Sequence, residues 1–188
     1  MNPIFAAALA IQDVCRVRGF RFCFIGGLAL QRWGQPRLTQ DVDVTVISGF
    51  GREGDYADQL LSAFTPRIPD AREFALQHRV LLLSGPSGIP VDVALGAMPF
   101  EERAVSRASP FFVAQGVSLT TCSAEDLIVF KAFAGREQDW IDIESIALRQ
   151  HNKLDQELIW QELTPLLELK EDALTGPRLR SLLDRARA

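Results

Sequence analysis

Histidine and cysteine are scarce in this chain, and their spacing does not suit a metal site. The two histidines are His78 and His151, which argues against a zinc site built from histidine and cysteine. The three cysteines, Cys15, Cys23 and Cys122, are odd in number and form no Cys-x-x-Cys pair. We therefore expect reduced, mostly buried thiols and no disulfide framework.

Long apolar runs and an excess of positive charge are also missing. No run approaches the roughly 18 apolar residues of a membrane span, so we expect a cytoplasmic protein that does not enter a membrane. The apolar segment 4–11 lacks the basic residues that open a signal peptide, and we expect it to lie in a first helix. A net charge of −4 and a pI near 5.2 give no global basic field for nucleic acid, which leaves room only for a local basic patch.

What the chain does contain is a glycine pair at a change of secondary structure. Gly26 and Gly27 follow an aromatic-rich strand over 20–25 and precede a short helix over 28–33. Glycine has no Cβ, so the backbone can come close to a phosphate group. The start of the next helix offers unpaired N–H groups and a positive dipole end to the same anion. The segment therefore predicts a turn that binds phosphate.

Three acids in two expected strands form the second part of the pattern. Asp41 and Asp43 lie one residue apart in the strand 41–47, so their carboxylates share one face while the intervening valines face the core. Asp92, in the strand 89–95, is flanked by valines in the same way and would join that face if the strands are neighbours. Crowded carboxylates repel each other unless a cation lies between them, and Mg²⁺ prefers oxygen ligands. The acids could instead be solvated residues on an exposed sheet face.

The order of expected elements predicts an α/β (α+β) fold. Residues 1–120 should form a small mixed β-sheet with flanking helices, and residues 121–188 a C-terminal helical bundle. A capping-box pattern at Ser123 opens the helical part. The expected helices there cover 124–134, 137–150, 155–168 and 178–187.

Taken together, these motifs resemble the DNA polymerase β-like nucleotidyltransferase superfamily. The resemblance rests on Gly26-Gly27, Asp41-Val42-Asp43-Val44 and Val91-Asp92-Val93, and the fuller string over 26–43 is similar to minimal nucleotidyltransferases and AbiEii-type toxins of toxin–antitoxin systems. The helical segment 123–142 is similar to one in the same proteins. The resemblance covers about residues 20–150, and residues 151–188 carry no recognised motif.

The resemblance implies a role for each matching residue. Asp41 and Asp43 would hold Mg²⁺ (or Mn²⁺) and, through it, the triphosphate of a bound NTP. Asp92 would complete the metal site and assist the acceptor hydroxyl, and Gly26 and Gly27 would shape the phosphate turn. The nucleotide would lie in the cleft between the α/β and helical parts. Four further residues are expected to contact nucleotide: Arg37, Thr39, Lys131 and Arg136.

Some of these roles have simpler alternatives. Lys131 could be a surface lysine whose stem covers apolar neighbours, and Arg136, Asp139 and Asp142 could form ion pairs on a helix surface. The segment around Arg136 is also shorter than the basic linker expected between these helices, which leaves its role open.

The function that the resemblance implies is Mg²⁺-dependent transfer of NMP from an NTP to a hydroxyl acceptor with release of pyrophosphate. A toxin role, with an antitoxin protein as partner, follows from the same resemblance. The acceptor stays open among a small molecule, a tRNA and a protein hydroxyl. One alternative is a non-catalytic module of the same fold that binds a nucleotide or a partner protein. A glycosyltransferase, whose Asp-x-Asp also holds a metal, is a second alternative that the early glycine turn disfavours.

Overall fold

The computed structural model describes residues 2–187 and confirms the expected α/β fold. Within these residues one mixed sheet is combined with helices before, between and after its strands. The strands are β1 Phe22–Phe24, β2 Val42–Ile47, β3 Thr65–Pro66, β4 Val80–Ser84, β5 Pro90–Gly96, β6 Ser109–Ala114 and β7 Val117–Thr121. The helices are α1 Pro3–Val17, α2 Gly26–Trp33, α3 Glu53–Leu61, α4 Ala71–His78, α5 Pro99–Arg107, α6 Ala124–Ala134, α7 Glu137–Gln150, α8 Gln156–Lys170 and α9 Thr175–Arg187.

The sheet has the strand order β3-β4-β5-β2-β1-β7-β6. The central strands β2 and β5 are parallel, β1 and β7 are parallel, and the other neighbours are antiparallel. In the parallel pair Val42 lies opposite Val91 and Val44 opposite Val93. These valines are fully buried and belong to the hydrophobic core, as the alternation in the sequence predicts.

Helix α1 packs on the core side of the sheet and is joined to β7 through a buried amide. The side chain of Gln12 is fully buried. Its Nε2 donates to the carbonyl oxygen of Ser118 at 2.8 Å, and its Oε1 accepts from the backbone N–H of Thr120 at 2.9 Å. A buried polar group costs free energy unless it is hydrogen-bonded, and here both ends of the amide are satisfied.

The chain divides into two compact units. The α/β unit contains Leu38–Cys122 together with the chain up to Leu28, and so includes the whole sheet. The helical unit contains Ala29–Arg37 together with the chain from Ser123 onward. In the helical unit α6 packs against α7, α8 and α9. No helix in residues 2–187 is both long enough and apolar enough to cross a membrane.

Several elements differ from the sequence-based expectation. The sequence predicts only a short extended piece over 116–119, where the structure has the longer hairpin of β6 and β7, because Pro110 within β6 is untypical of a strand interior. Helix α4 and the two-residue strand β3 were not predicted. A strand of two residues gives too little periodicity to be recognised, and α4 has no neighbouring motif such as the glycine pair that marks the equally short α2.

Candidate active site

Asp43 and Asp92 lie directly opposite each other on the two central parallel strands. The register pairs Asp43 of β2 with Asp92 of β5, so their Cα atoms are about 4.8 Å apart. Both side chains are half-buried on the face of the sheet opposite the valine core. Asp41, also half-buried, comes immediately before β2. We call Asp41, Asp43 and Asp92 the acid row.

Thr39 fixes the first carboxylate of the acid row. Its Oγ1 lies 3.0 Å from Oδ1 of Asp41 and 3.3 Å from the backbone carbonyl oxygen of the same residue. The Thr39 residue is buried, although its neighbours Leu38 and Gln40 are exposed. In this structure Thr39 therefore orients Asp41, whereas the sequence predicted a contact of Thr39 with nucleotide, which stays a prediction.

The glycine pair lies against the same side chains. Gly26 has φ +57°, and a Cβ placed there would be 1.9 Å from Oδ2 of Asp43. A Cβ on Gly27 would be 2.3 Å from Oγ1 of Thr39. Glycine is thus required at both positions, at Gly26 so that Asp43 can reach the start of α2 and at Gly27 so that Thr39, which bonds Asp41, can do the same. The sequence had suggested room for a phosphate as the reason, and the structure adds this second one.

Asp92 is paired with Arg67, a residue that the sequence analysis did not single out. Nη2 of Arg67 donates to Oδ1 of Asp92. Burial raises the pKa of Asp92, the positive charge of Arg67 lowers it, and the negative charge of Asp41 raises it again. The net effect holds the pKa of Asp92 above its ordinary value. Asp41 and Asp92 therefore influence each other electrostatically.

The acid row has the right donors for a hard divalent cation, but the donors are not gathered as a finished site. Carboxylate oxygens on one sheet face suit Mg²⁺ or Mn²⁺. In residues 2–187, however, no group of three or more His, Cys, Asp or Glu side chains is arranged to hold a metal ion as it stands. Arg67 engages one oxygen of Asp92 instead. The chemistry of the row fits the ion, and the three-ligand arrangement stays a prediction.

In the helical unit the predicted basic residues converge on two buried acids. Nζ of Lys131 donates to Oδ1 of Asp139 at 3.2 Å and to Oδ2 of Asp142 at 2.6 Å. Arg37 makes a two-pronged contact with Asp142, with both N–O distances 3.0 Å. Arg136 bonds Asp139 through Nε at 2.7 Å. We call these five residues the ion cluster of the helical unit.

Charge pairing outweighs burial in the ion cluster. Burial by itself raises the pKa of Asp139, but the hydrogen bond from Arg136 and the charge of Lys131 hold it below its ordinary value. Burial acts in the same direction on Asp142, and the hydrogen bonds from Arg37 and Lys131 likewise lower its pKa. Both carboxylates are therefore charged at neutral pH.

The structure thus groups the predicted site residues in two sets. The α/β unit brings together Asp41, Asp43, Asp92, Gly26, Gly27 and Thr39. The helical unit brings together Arg37, Lys131 and Arg136, each bonded to an aspartate. Lys131 is buried, which differs from the alternative of a surface lysine. No sequence motif points to Arg67, which lies 25 residues from Asp92 along the chain.

Comparison with known proteins identifies a family for this chain. The profile of the family described as "Nucleotidyl transferase AbiEii toxin, Type IV TA system" matches residues 17–187. A comparison with curated protein sequences gives no match.

Three solved structures share the fold. An antigenic nucleotidyltransferase-like protein from Paracoccidioides brasiliensis has a TM-score of 0.53 and 16% identity, over 95% of this chain and 93% of that one. The lincomycin-bound lincosamide antibiotic adenylyltransferase LnuA has a TM-score of 0.50 and 13% identity, over 73% and 92%. The antibiotic-resistance factor ANT(2″)-Ia has a TM-score of 0.52 and 16% identity, over 89% and 92%.

At these identities the structural likeness shows the fold alone, and the family assignment rests on the profile. The match over residues 17–187 includes the glycine pair, the acid row and the ion cluster. It confirms the resemblance that the motifs suggested. The chain belongs to the AbiEii nucleotidyltransferase toxin family and is a nucleotidyltransferase.

Proposed function

We propose that this chain transfers NMP from an NTP to a hydroxyl acceptor at the acid row and releases pyrophosphate. The observation that carries the proposal is the register of Asp43 opposite Asp92, next to a glycine turn that closes on Asp43. The turn contributes the start of α2, whose N–H groups can bind a phosphate anion. Crowded carboxylates beside a phosphate-binding turn are the parts that phosphoryl-group chemistry needs.

In the proposed reaction the acceptor oxygen forms a bond to the α-phosphorus. The bond between the α-phosphorus and the α–β bridging oxygen breaks, and pyrophosphate leaves with its electron pair. The acceptor hydroxyl loses its proton to the carboxylate of Asp92. Asp92 is the proposed proton acceptor because its carboxylate lies on the same sheet face as Asp43, directly opposite it.

Asp41 and Asp43, together with Asp92, would hold the divalent cation. When bound, Mg²⁺ or Mn²⁺ would neutralise phosphate charge as it develops. Thr39 supports this role because it bonds the carboxylate of Asp41, and Gly26 supports it because its missing Cβ leaves space for the carboxylate of Asp43. A site whose ligands are already oriented needs less reorganisation on binding.

We propose a nucleotide contact for one basic residue of the ion cluster and a supporting role for another. The side chain of Arg136 is 77% exposed, so its guanidinium is accessible to a phosphate anion from solvent even though it also contacts Asp139. Lys131 is only 6% exposed and already holds Asp139 and Asp142. We therefore assign Arg136 the direct contact with phosphate, and Lys131 the task of holding the cluster together.

The proposal is tested by label transfer from α-³²P-labelled NTPs with Mg²⁺ and a panel of acceptors. The panel contains total tRNA, cell extract proteins, aminoglycosides and lincomycin, because two structural relatives are described as an antibiotic adenylyltransferase and an antibiotic-resistance factor. Asp43→Asn keeps the side-chain size but removes the charge. Loss of a residue that only supports a metal ligand costs about 10–100-fold in metal affinity or activity. Asp43 is a proposed direct ligand, so we expect this variant to lose at least about 100-fold in transfer rate.

Asp58→Asn is the matched control, since Asp58 is an acid of the same unit that pairs with Arg72 away from the acid row. It should transfer label at the wild-type rate. A toxin role predicts, in addition, that expression of the wild-type chain arrests growth and that Asp43→Asn relieves the arrest. No label on any acceptor, together with NTP binding that is indifferent to Asp41 and Asp43, would refute the proposal.

A further inference from the structure

Four residues of neighbouring strands lie side by side, in register, across the polar face of the sheet. Asp43 of β2 lies opposite Asp92 of β5, and Asp92 lies opposite Leu82 of β4. The backbone N–H of Arg67 donates to the carbonyl oxygen of Leu82 at 3.0 Å, which continues the β3–β4 pairing by one residue. Residues in register project from the same face of a sheet. Arg67 and the two acids therefore point toward the same side, with Leu82 between them.

The side chain of Arg67 extends past Leu82 and ends on Asp92. Its Nη2 bonds Oδ1 of Asp92, and the two side chains are 28% and 33% exposed, so solvent and ions can reach the pair. The backbone of Arg67 is held by the Leu82 bond and lies between Pro66 and Pro69, whose rings restrict the chain. The backbone at the end of β3 therefore positions the guanidinium of Arg67 next to the carboxylate of Asp92.

The contact of Arg67 with Asp92 competes with the use of that carboxylate as a metal ligand. In residues 2–187 no three acidic, histidine or cysteine side chains are gathered to hold an ion, although Asp43 and Asp92 face each other on adjacent strands. A guanidinium on Asp92 takes up an acceptor oxygen, and its positive charge opposes a second cation nearby.

We propose that Arg67 is the resident counter-ion of the acid row: it occupies Asp92 while the site is empty and must leave that carboxylate when a divalent cation binds. The inference rests on the proposed function, because it assumes that the acid row holds the cation. Arg67 is then a positioning residue, which acts through Asp92 and sets the affinity of the row for metal. Its competition with the ion is a coupling between two ligands of one carboxylate, and such couplings typically change affinity by about 5–150-fold.

The test measures Mn²⁺ binding to the full chain without nucleotide, from the electron paramagnetic resonance signal of free Mn²⁺. Arg67→Gln should tighten Mn²⁺ binding by about tenfold, a value toward the lower end of the usual coupling range. Arg67→Lys keeps the positive charge and should tighten Mn²⁺ binding less than Arg67→Gln does. Arg72→Gln is the matched control, because Arg72 pairs with Asp58 on the same unit and should leave Mn²⁺ binding unchanged.

A second set of variants separates the ion pair from a general change in charge. In the Asp92→Asn background Arg67→Gln should have almost no effect, because the carboxylate that Arg67 competes for is absent. Equal tightening in both backgrounds would show a field effect and overturn the inference. Unchanged or weaker Mn²⁺ binding by Arg67→Gln would overturn it as well, provided that its thermal unfolding matches wild type. If Arg67→Gln instead fails to fold, Arg67→Ala is measured in its place against the same criteria.

Failure of the inference and failure of the proposed function give different results. If the chain labels an acceptor but its Mn²⁺ affinity does not change in Arg67→Gln, only the inference about Arg67 is wrong. If the Mn²⁺ affinity depends on Arg67 only when Asp92 is present, but the chain labels no acceptor, only the proposed function is wrong.

Discussion

Gly26 shows how much one residue can decide in this site. Its backbone has φ +57°, which an L-residue with a side chain adopts only at a cost, and its missing Cβ leaves space for the carboxylate of Asp43. The two requirements are separate, because the first concerns the chain itself and the second concerns a neighbour. A substitution can therefore be designed that tests one without the other.

Gly26→Ala should lose both stability and function. The left-handed backbone costs alanine about 1–2 kcal/mol, and the clash with Oδ2 of Asp43 adds an overpacking cost of about 1–3 kcal/mol. Urea unfolding should show the loss of stability, and Mn²⁺ binding should weaken because Asp43 is displaced. Gly19→Ala is the matched control, since Gly19 has φ +67° and nothing within 4 Å of the added Cβ. Normal Mn²⁺ binding by Gly26→Ala would contradict the assignment of Asp43.

At the scale of single residues, the sequence indicated which face of a strand a side chain occupies, but not which side chains touch each other. The alternation of valines with Asp43 and Asp92 specified the faces of two strands, and the structure has them in register. The contact of Arg67 with Asp92 depends on the pairing of three strands, β3, β4 and β5, through Leu82. No local pattern encodes that pairing, because register is decided by packing and by turn geometry.

Among the elements, α6 and α7 depend on each other through the ion cluster. Lys131 of α6 bonds Asp139 and Asp142 of α7, at positions that the i, i+3 spacing places on one side of that helix. The sequence indicated this spacing and suggested surface ion pairs. It could not show burial, since burial of Lys131 depends on how the neighbouring helices pack against α6.

Lys131→Met should therefore destabilise the helical unit. Removing one partner of a buried ion pair costs about 3–5 kcal/mol, and we expect about 3 kcal/mol because Arg37 and Arg136 still pair with the two acids. Urea unfolding followed by circular dichroism measures the change. Lys170→Met is the control: Lys170 lies 3.5 Å from Asp172, is 42% exposed, and should cost a small fraction of that value. Equal losses in the two variants would contradict a stabilising role for the cluster.

At the scale of the whole molecule, carboxylates with lowered pKa values occur in both units. One of them is Asp172, whose carboxylate accepts bonds from the backbone N–H and hydroxyl of Thr175 and from the N–H of Leu174. These bonds lower its pKa to about 2. Further acids with lowered pKa values include Glu53, Asp58, Glu137, Asp139 and Asp142. Asp92, with a raised pKa, is shifted the other way.

These shifts predict that the protein loses stability in acid. A carboxylate whose pKa is lower in the folded than in the unfolded state stabilises the fold fully at pH values above the ordinary pKa of about 4. That contribution is lost as the pH falls from about 4 toward the folded-state value, because the unfolded state then binds more protons. Thermal unfolding followed by circular dichroism should thus give similar midpoints at pH 7 and pH 6 and falling midpoints from pH 5 to pH 3.

Asp172→Asn tests whether a single carboxylate contributes to this fall of the unfolding midpoint with pH. The amide oxygen can still accept the bonds at the start of α9, but the group no longer titrates between its ordinary pKa and about 2. The variant should therefore unfold at a lower temperature than wild type at pH 7, and the difference should shrink as the pH approaches 3. A difference that stays constant between pH 7 and pH 3 would mean that the charge of Asp172 does not stabilise the fold. A wild-type midpoint that is the same at both pH values would contradict the wider expectation that paired carboxylates in both units stabilise the fold.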